Sequence, residues 1–418
     1  MLTRQLSLLR EVQSFRLLAF ATVGSAVGTW LAFVALTIDV YDRTDSAVWV
    51  SALLIADFLP AILIGLAAAS LVDRLPRRRL MIASDLARVA IFAALPFADD
   101  PAMIVALAAM AGFATGFFRP ALYAGLPNLL PDADLPSANS LLQTIENLAW
   151  ALGPVIGGVL VAATGPDAAY WINSVTFLLS AAFLSGIPDR LLQAAPAVGR
   201  GYWRDLSDGY RLVRSSRALL TVVTAWNVIM LASAGVNVAE VVLAKEAFGA
   251  GDFGYGLLVG ATGVGLALGS FLAGSLLEHR QIASVYATSM GLVALGMVGA
   301  AASPNVWIAA ICVIVLGTGN GAAVICNALL VQRGAPDALR GRAFTLLMSS
   351  NYVVLGLGMV AAGPLTKEIG PRGVWAVAGA LSAVAAVVGL LLARGVDTRA
   401  QIVPDPALQT EPVESARI

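Results

Sequence analysis

The chain has 418 residues, 59% of them hydrophobic and 12% charged, with a formal net charge of zero. A soluble domain carries roughly twice that charged fraction, so a soluble enzyme is excluded. The charge is unevenly spread, and its basic loops could suggest nucleic acid, but membrane topology explains them more simply and no nucleic-acid module is visible.

The apolar residues come in blocks of about 20, the length that crosses a bilayer as a helix. In chain order these are 15–38, 47–70, 79–98, 102–124, 138–163, 167–187, 218–242, 253–277, 281–302, 305–331, 342–365 and 371–394. They predict an all-α membrane protein with twelve transmembrane helices. The first block comes after a basic start, as in a signal peptide, but it is too long and no cleavage site follows. Most breaks are short turns of Pro, Gly and Asp. The longest, 188–217, is polar and Arg-rich and divides a first half (1–187) from a second (218–394). The tail 395–418 is short and polar, and is expected to be disordered. With the N-terminus placed inside, the cations between blocks fall on the inner side, apart from Arg43, Lys245, Lys367 and Arg372. That asymmetry predicts a cell-membrane protein with both termini cytoplasmic.

Glu278 lies 205 residues after Asp73, and the same offset carries Gly112 to Gly317, Gly116 to Gly321, Ala138 to Ala343 and Gly153 to Gly358. Two copies of one six-helix unit joined head to tail are therefore expected, with a site at their interface near mid-membrane. Cys312 and Cys326 share block ten, about 21 Å apart on a helix, and cannot bridge. His279 is the only histidine. No metal cluster, cofactor motif, phosphate loop or hydrolase triad is visible, so no cofactor and no direct ATP drive are expected.

After block two the sequence runs through Asp73, Arg74, Arg77 and Arg78. This resembles the major facilitator superfamily, whose loop between helices 2 and 3 reads G-x-x-x-D-R-x-G-R-R. Ala69 and Pro76 depart from its two glycines. The second copy keeps Gly274, Glu278 and Arg280 and loses most of the basic run. The resemblance implies a conformational latch. Asp73 would face the start of helix 11 near Arg342 to Thr345, where a helix N-terminus favours a carboxylate. By pseudo-symmetry Glu278 would face the start of helix 5 near Ser137 to Ser140. Arg119 would pair with Asp73 in that latch or reach for the membrane surface. The basic run alone also serves as a topology anchor.

Block five supplies Gly153, Pro154, Gly157 and Gly158, similar to the superfamily's antiporter motif on helix 5. Proline kinks the helix and the glycines permit close packing. The second copy has Gly356, Gly358, Gly363 and Pro364 at other spacings, which predicts an asymmetric seal. The wording GFFRPALYAGLPNLLPDADLPSANSL, with LPAILIG and LGPVIGG, resembles drug exporters related to macrolide efflux and enterobactin export proteins.

Charge inside the membrane is costly and is usually kept for function. Asp57 and Glu146 are the deepest carboxylates, and their offset partners are the uncharged Thr262 and Asn351. They are the expected proton-coupling pair, with hydrogen bonding inside the protein as the alternative. Asp39 and Glu240 lie toward outer ends. Asp85 and Arg88, three apart on one helical face, are expected to pair as structure. Trp30, Phe117, Tyr123, Trp226, Asn227, Asn320 and Asn327 are expected to line a cavity between helices 1, 4, 7 and 10, although each also suits packing.

The function expected is proton-coupled export of small amphipathic compounds, drug-like or siderophore, by rocking-switch alternating access. Uptake or exchange of a nutrient or siderophore, a lipid flippase and a membrane sensor are the alternatives. The expected partners are the small-molecule substrate, protons and the lipid bilayer, with no nucleic acid. The resemblance implies a monomer.

Overall fold

The structure is a computed structural model describing residues 2–67, 75–192, 210–214, 216–335 and 337–393. Its helices are α1 (Leu2–Glu11), α2 (Gln13–Thr44), α3 (Ala47–Ala67), α4 (Arg77–Ala94), α5 (Pro101–Leu129), α6 (Leu135–Thr164) and α7 (Pro166–Ser185). The second half holds α8 (Arg217–Val242), α9 (Gly251–His279), α10 (Ile282–Ala302), α11 (Val306–Gly334) and α12 (Asp337–Ala393). Among the described residues, eleven helices are long and apolar enough to span a membrane. The last, α12, has 57 residues, about 85 Å of helix against a hydrocarbon layer of about 30 Å. It is broken at Gly370, where φ is 73° and ψ 166°. Its arms, 337–369 and 371–393, are two spans, so the twelve blocks become twelve helices.

Gly370–Pro371 repeats an earlier turn at the 205-residue offset. Gly165, with φ 79° and ψ 175°, closes α6, and Pro166 opens α7. A left-handed glycine stops one helix and a proline, needing no N–H donor, starts the next. The offset holds for caps too. The Asp100 side chain accepts from the Ala102 N–H before α5, and Asn305 accepts from Trp307 and Ile308 before α11.

Side-chain-free contacts copy at the same spacing. A side chain on Gly112 would strike the carbonyl of Asp57, and one on Gly317 the carbonyl of Thr262; Gly116 meets Ala61 as Gly321 meets Leu266. These contacts press α5 onto α3 and α11 onto α9. Within the first half α2 also packs on α6 and α7, and α4 on α5 and α7; in the second α12 packs on α8 and α10, and α11 on α10. The halves meet along two seams, α6 against α9 and α3 against α12.

The short α1 precedes the first block and lies at the basic end of the bundle, the end that carries Arg77, Arg78 and Arg217. Leu8 is buried against the first half. Arg4 Nε donates to Asp134 at 2.7 Å and Gln5 Nε2 to the Ser140 hydroxyl at 3.2 Å. The Arg4 hydrogen bond holds the Asp134 carboxyl below its ordinary value. A depressed acid stabilises its pairing above the ordinary carboxylate value of about 4 and loses that contribution as pH falls through the lowered value. Docking of α1 is therefore expected to weaken below about pH 4. Faster hydrogen exchange of the α1 amides below that pH should report this, and Arg4→Ala should show the same faster exchange, corrected for intrinsic rate, at neutral pH.

Candidate functional site

The two seams are copies of each other, and among the described residues their glycine contacts close one end of the bundle. On α6, a side chain at Gly158 would meet the carbonyl of Asp252 at 2.8 Å and Gly256 at 3.0 Å. The offset twin on α12, Gly363, meets the carbonyl of Ala47 at 3.1 Å and Ser51 at 3.1 Å. The Pro154 carbonyl faces Gly256, and its twin, the Met359 carbonyl, accepts from the Ser51 hydroxyl. Nearer the bundle centre Gly263 packs on Ala151 at 2.7 Å. All these contacts lie from the middle of the spans to the end opposite the basic one, the far end. The expected asymmetric seal is corrected in part: Gly363 takes the place of Gly158, while Met359 and Ala362 stand where the first half has Pro154 and Gly157. Gly153 and Gly157 serve a different seam, meeting Trp30 and Leu31 on α2.

A polar clasp caps the closed end. Five residues after α8, Leu243–Ala247, form a π-turn. It carries Lys245 and Glu246 toward α2, where Tyr41 donates to Glu246 and Lys245 binds Asp42. Lys245 also binds Asp252 at 2.6 Å. Tyr41 and Glu246 are themselves 205 residues apart. A residue touching its own pseudo-symmetric twin must lie on the two-fold axis relating the halves. The clasp therefore sits where the axis leaves the far end.

Deeper in, Arg119 Nη2 donates to Glu146 Oε2 at 2.7 Å and the Tyr123 hydroxyl lies 3.4 Å from Oε1. Glu146 is thus hydrogen-bonded inside the protein, the alternative expected for it, and Arg119 is its partner; the expected contact of Arg119 with Asp73 falls on a residue outside the described ones. One turn beyond Glu146, Trp150 stacks on Trp30 with centroids 5.2 Å apart and planes 7° from parallel. Phe33 meets Trp30 edge-on, and Phe117 meets Phe113 likewise.

The second half presents amides. Asn227 Nδ2 donates to the Val223 carbonyl at 2.7 Å and lies 3.1 Å from the Ser350 hydroxyl. With its amide oriented to satisfy its neighbours, Asn351 donates to Asn227 at 3.1 Å and accepts from Trp226 Nε1 at 3.2 Å. Trp226 is buried, so it braces α8 against α12. The Oδ1 atoms of Asn320 and Asn327 are buried without a hydrogen-bond partner among the described residues. They face packing rather than an open cavity.

Asp57 lies in the α3–α5 seam, without a hydrogen bond or ion pair among the described residues. Asp73 and Arg74 lie outside the described residues, as do the side chains of Glu278, Arg342 and Thr345. Arg77 donates to the carbonyls of Ala124 and Leu192, and Arg78 to those of Leu184 and Ser185 and to Asp189. Both tie α4 to its own half. At the start of α6, where Glu278 is expected, Gln5 and Arg4 of α1 hold Ser140 and Asp134. Tyr41, Lys245, Glu246 and Trp150 are site residues that the sequence pattern does not single out. The 205-residue offset of Tyr41 and Glu246 is the signal that points to two of them.

The family described as "Transmembrane secretion effector" matches residues 4–415. The MFS-type transporter YfiS of Bacillus subtilis (strain 168) is 28% identical, over 93% of this chain and 94% of that protein. The multidrug efflux pump Tap of Mycolicibacterium fortuitum is 29% identical, over 85% of this chain and 89% of that protein. In fold, a bacterial homolog of the human lysosomal transporter Spinster superposes with a TM-score of 0.73 at 10% identity, covering 92% of this chain and 97% of that one. Copied halves, twin seams and these likenesses agree: the chain is a multi-pass membrane transporter of the major facilitator superfamily and belongs to its transmembrane secretion effector family.

Proposed function

We propose that the chain exports small amphipathic compounds by proton-coupled antiport, its halves rocking about the two seams. The observation that carries this is the pair of copied glycine seams, which hold the far ends together from mid-span outward. With the termini in the cytoplasm, the described state faces inward. Export is the direction named for the efflux-pump relative. Asp57 and Glu146 are the acids that would carry protons, Glu146 by exchanging its Arg119 partner for a proton. Asp73 and Glu278, with Arg74, Arg77 and Arg78, would latch the basic end in the opposite state.

The test is efflux from cells lacking their major pumps, loaded with lipophilic dyes. Loss of dye should depend on expression and stop with a proton ionophore. Efflux indifferent to the ionophore would remove proton coupling, and dye accumulation above the control would reverse the direction.

A further inference from the structure

The Arg119–Glu146 pair stands in an unusual place. Arg119 is ten residues from the basic end of the 29-residue α5, and Glu146 eleven from the start of the 30-residue α6, so each lies about 6 Å from mid-helix. That is near the middle of a hydrocarbon layer of about 30 Å. Yet the Arg119 side chain is 62% exposed and that of Glu146 18%. A guanidinium exposed to lipid at that depth is strongly disfavoured, so the exposed face belongs to the water-filled cleft beneath the closed far end. The pair spans α5 and α6, which share no packed seam. It is held by its own charges rather than by the helices around it.

Its surroundings separate it from the other deep arginine. Arg88 is 2% exposed, bound to Asp85 and covered by the rings of Phe118 and Phe177. Nothing from the cleft can reach it. Arg119 is reachable, and its planar fork of donors matches a carboxylate. The Trp30–Trp150 stack lies one turn above it, toward the shut end. A cation next to an aromatic ceiling fits a ligand with an anionic head and a flat or greasy body.

We propose that Arg119 anchors the carboxylate of an amphipathic substrate, and that Glu146 is the internal carboxylate the substrate displaces. This rests on the cleft being the transport path. The substrate class is therefore amphipathic carboxylates with an aromatic or alkyl body, which lie against Trp30 and Trp150. Glu146 sets affinity by competing for the same guanidinium, so the two residues act in opposite directions.

The test is binding to the full chain in lipid nanodiscs, read as tryptophan-to-pyrene energy transfer with empty discs subtracted. The probes are 1-pyrenebutyrate and its neutral analogue 1-pyrenebutanol. Arg119→Gln should weaken pyrenebutyrate binding by about tenfold or more, the scale of a hydrogen bond to a charged group, and leave pyrenebutanol unchanged. Glu146→Gln should tighten pyrenebutyrate several-fold. Arg119→Lys, which keeps the charge, should recover part of the loss and covers the case in which Arg119→Gln does not fold. If both Gln variants move both probes in the same direction, the pair is only a strut and the proposal is overturned. Binding needs no gradient, so the opposite-sign pattern in a protein that exports nothing would sink export alone. Dye export without any preference for the carboxylate would sink this inference alone.

Discussion

Arg88→Ala is expected to cost about 3–5 kcal/mol, the scale for leaving a buried charge without its partner. Typical total stabilities are only about 5–15 kcal/mol. Asp85 is 0% exposed and Arg88 2%. Asp85 Oδ2 accepts from the Ser180 hydroxyl at 2.7 Å, and Arg88 reaches Ser25 at 3.3 Å and the Ser84 carbonyl at 3.4 Å. The guanidinium lies 4.1 Å from the Phe177 centroid and 4.9 Å from that of Phe118. One side chain thus joins α2, α4, α5 and α7. Without it, a carboxylate remains in an apolar core with the Ser180 hydroxyl as its donor. The thermal melt should fall by about 5–10 °C or more, with loss of protein from the membrane. Arg88→Lys should rescue poorly, because a point charge cannot lie flat between two rings. Replacing both residues, as Asp85→Leu with Arg88→Met, should recover much of the loss, since apolar isosteres leave no orphan charge. A melt of Arg88→Ala within a degree of wild type would show that the network does not hold the half together.

Asp85 and Arg88 also show what a sequence can carry. A pair three apart on one helix is local, so its geometry comes from the helix alone. The twelve spans are legible for a similar reason: apolar length is a property of each block. The repeat is legible because it is a register, and the structure extends it from letters to contacts. The contact of Gly158 with Asp252, and that of its twin Gly363 with Ala47, are not legible, because spacing within one helix says nothing about the partner helix. Gly363 looks out of register only when the proline is matched along with the glycines. The seam needs the glycine and a facing carbonyl, and a carbonyl is supplied by Pro154 and Met359 alike. The partner of Glu146 is not legible from sequence for the complementary reason. Its offset twin Asn351 is uncharged, which marks Glu146 as unmatched between halves, but its partner Arg119 lies on a different helix of the same half.

Lys245→Glu is expected to drive the far end open. Lys245 bridges Asp42 and Asp252, and its side chain is 14% exposed while theirs are 50% and 22%. The bond to Asp252 stays within the second half; the bond to Asp42 crosses to the first. The π-turn matters here, because one extra residue in a turn rotates the chain beyond it by about 100°. It brings Lys245 and Glu246 round to Asp42 and Tyr41 together. Exposure of Asp42 limits the cross-half pair to about 1 kcal/mol, or about a fivefold change in population, when Lys245 is neutralised. Charge reversal adds repulsion between four acids, Asp42, Glu246, Asp252 and the new carboxylate, and should shift the balance by more than about tenfold. Spin labels on Asp99→Cys and Trp307→Cys, exposed at the far end of opposite halves, would read this as a longer distance population. Tyr41→Phe should act in the same direction but more weakly, since it removes one hydrogen bond worth about 1 kcal/mol. Adding Asp42→Lys to Lys245→Glu restores an opposite pair across the halves and should return the short distance. If charge reversal leaves the distances unchanged, the glycine seams alone hold the far end shut, and the clasp on the two-fold axis is only a surface contact.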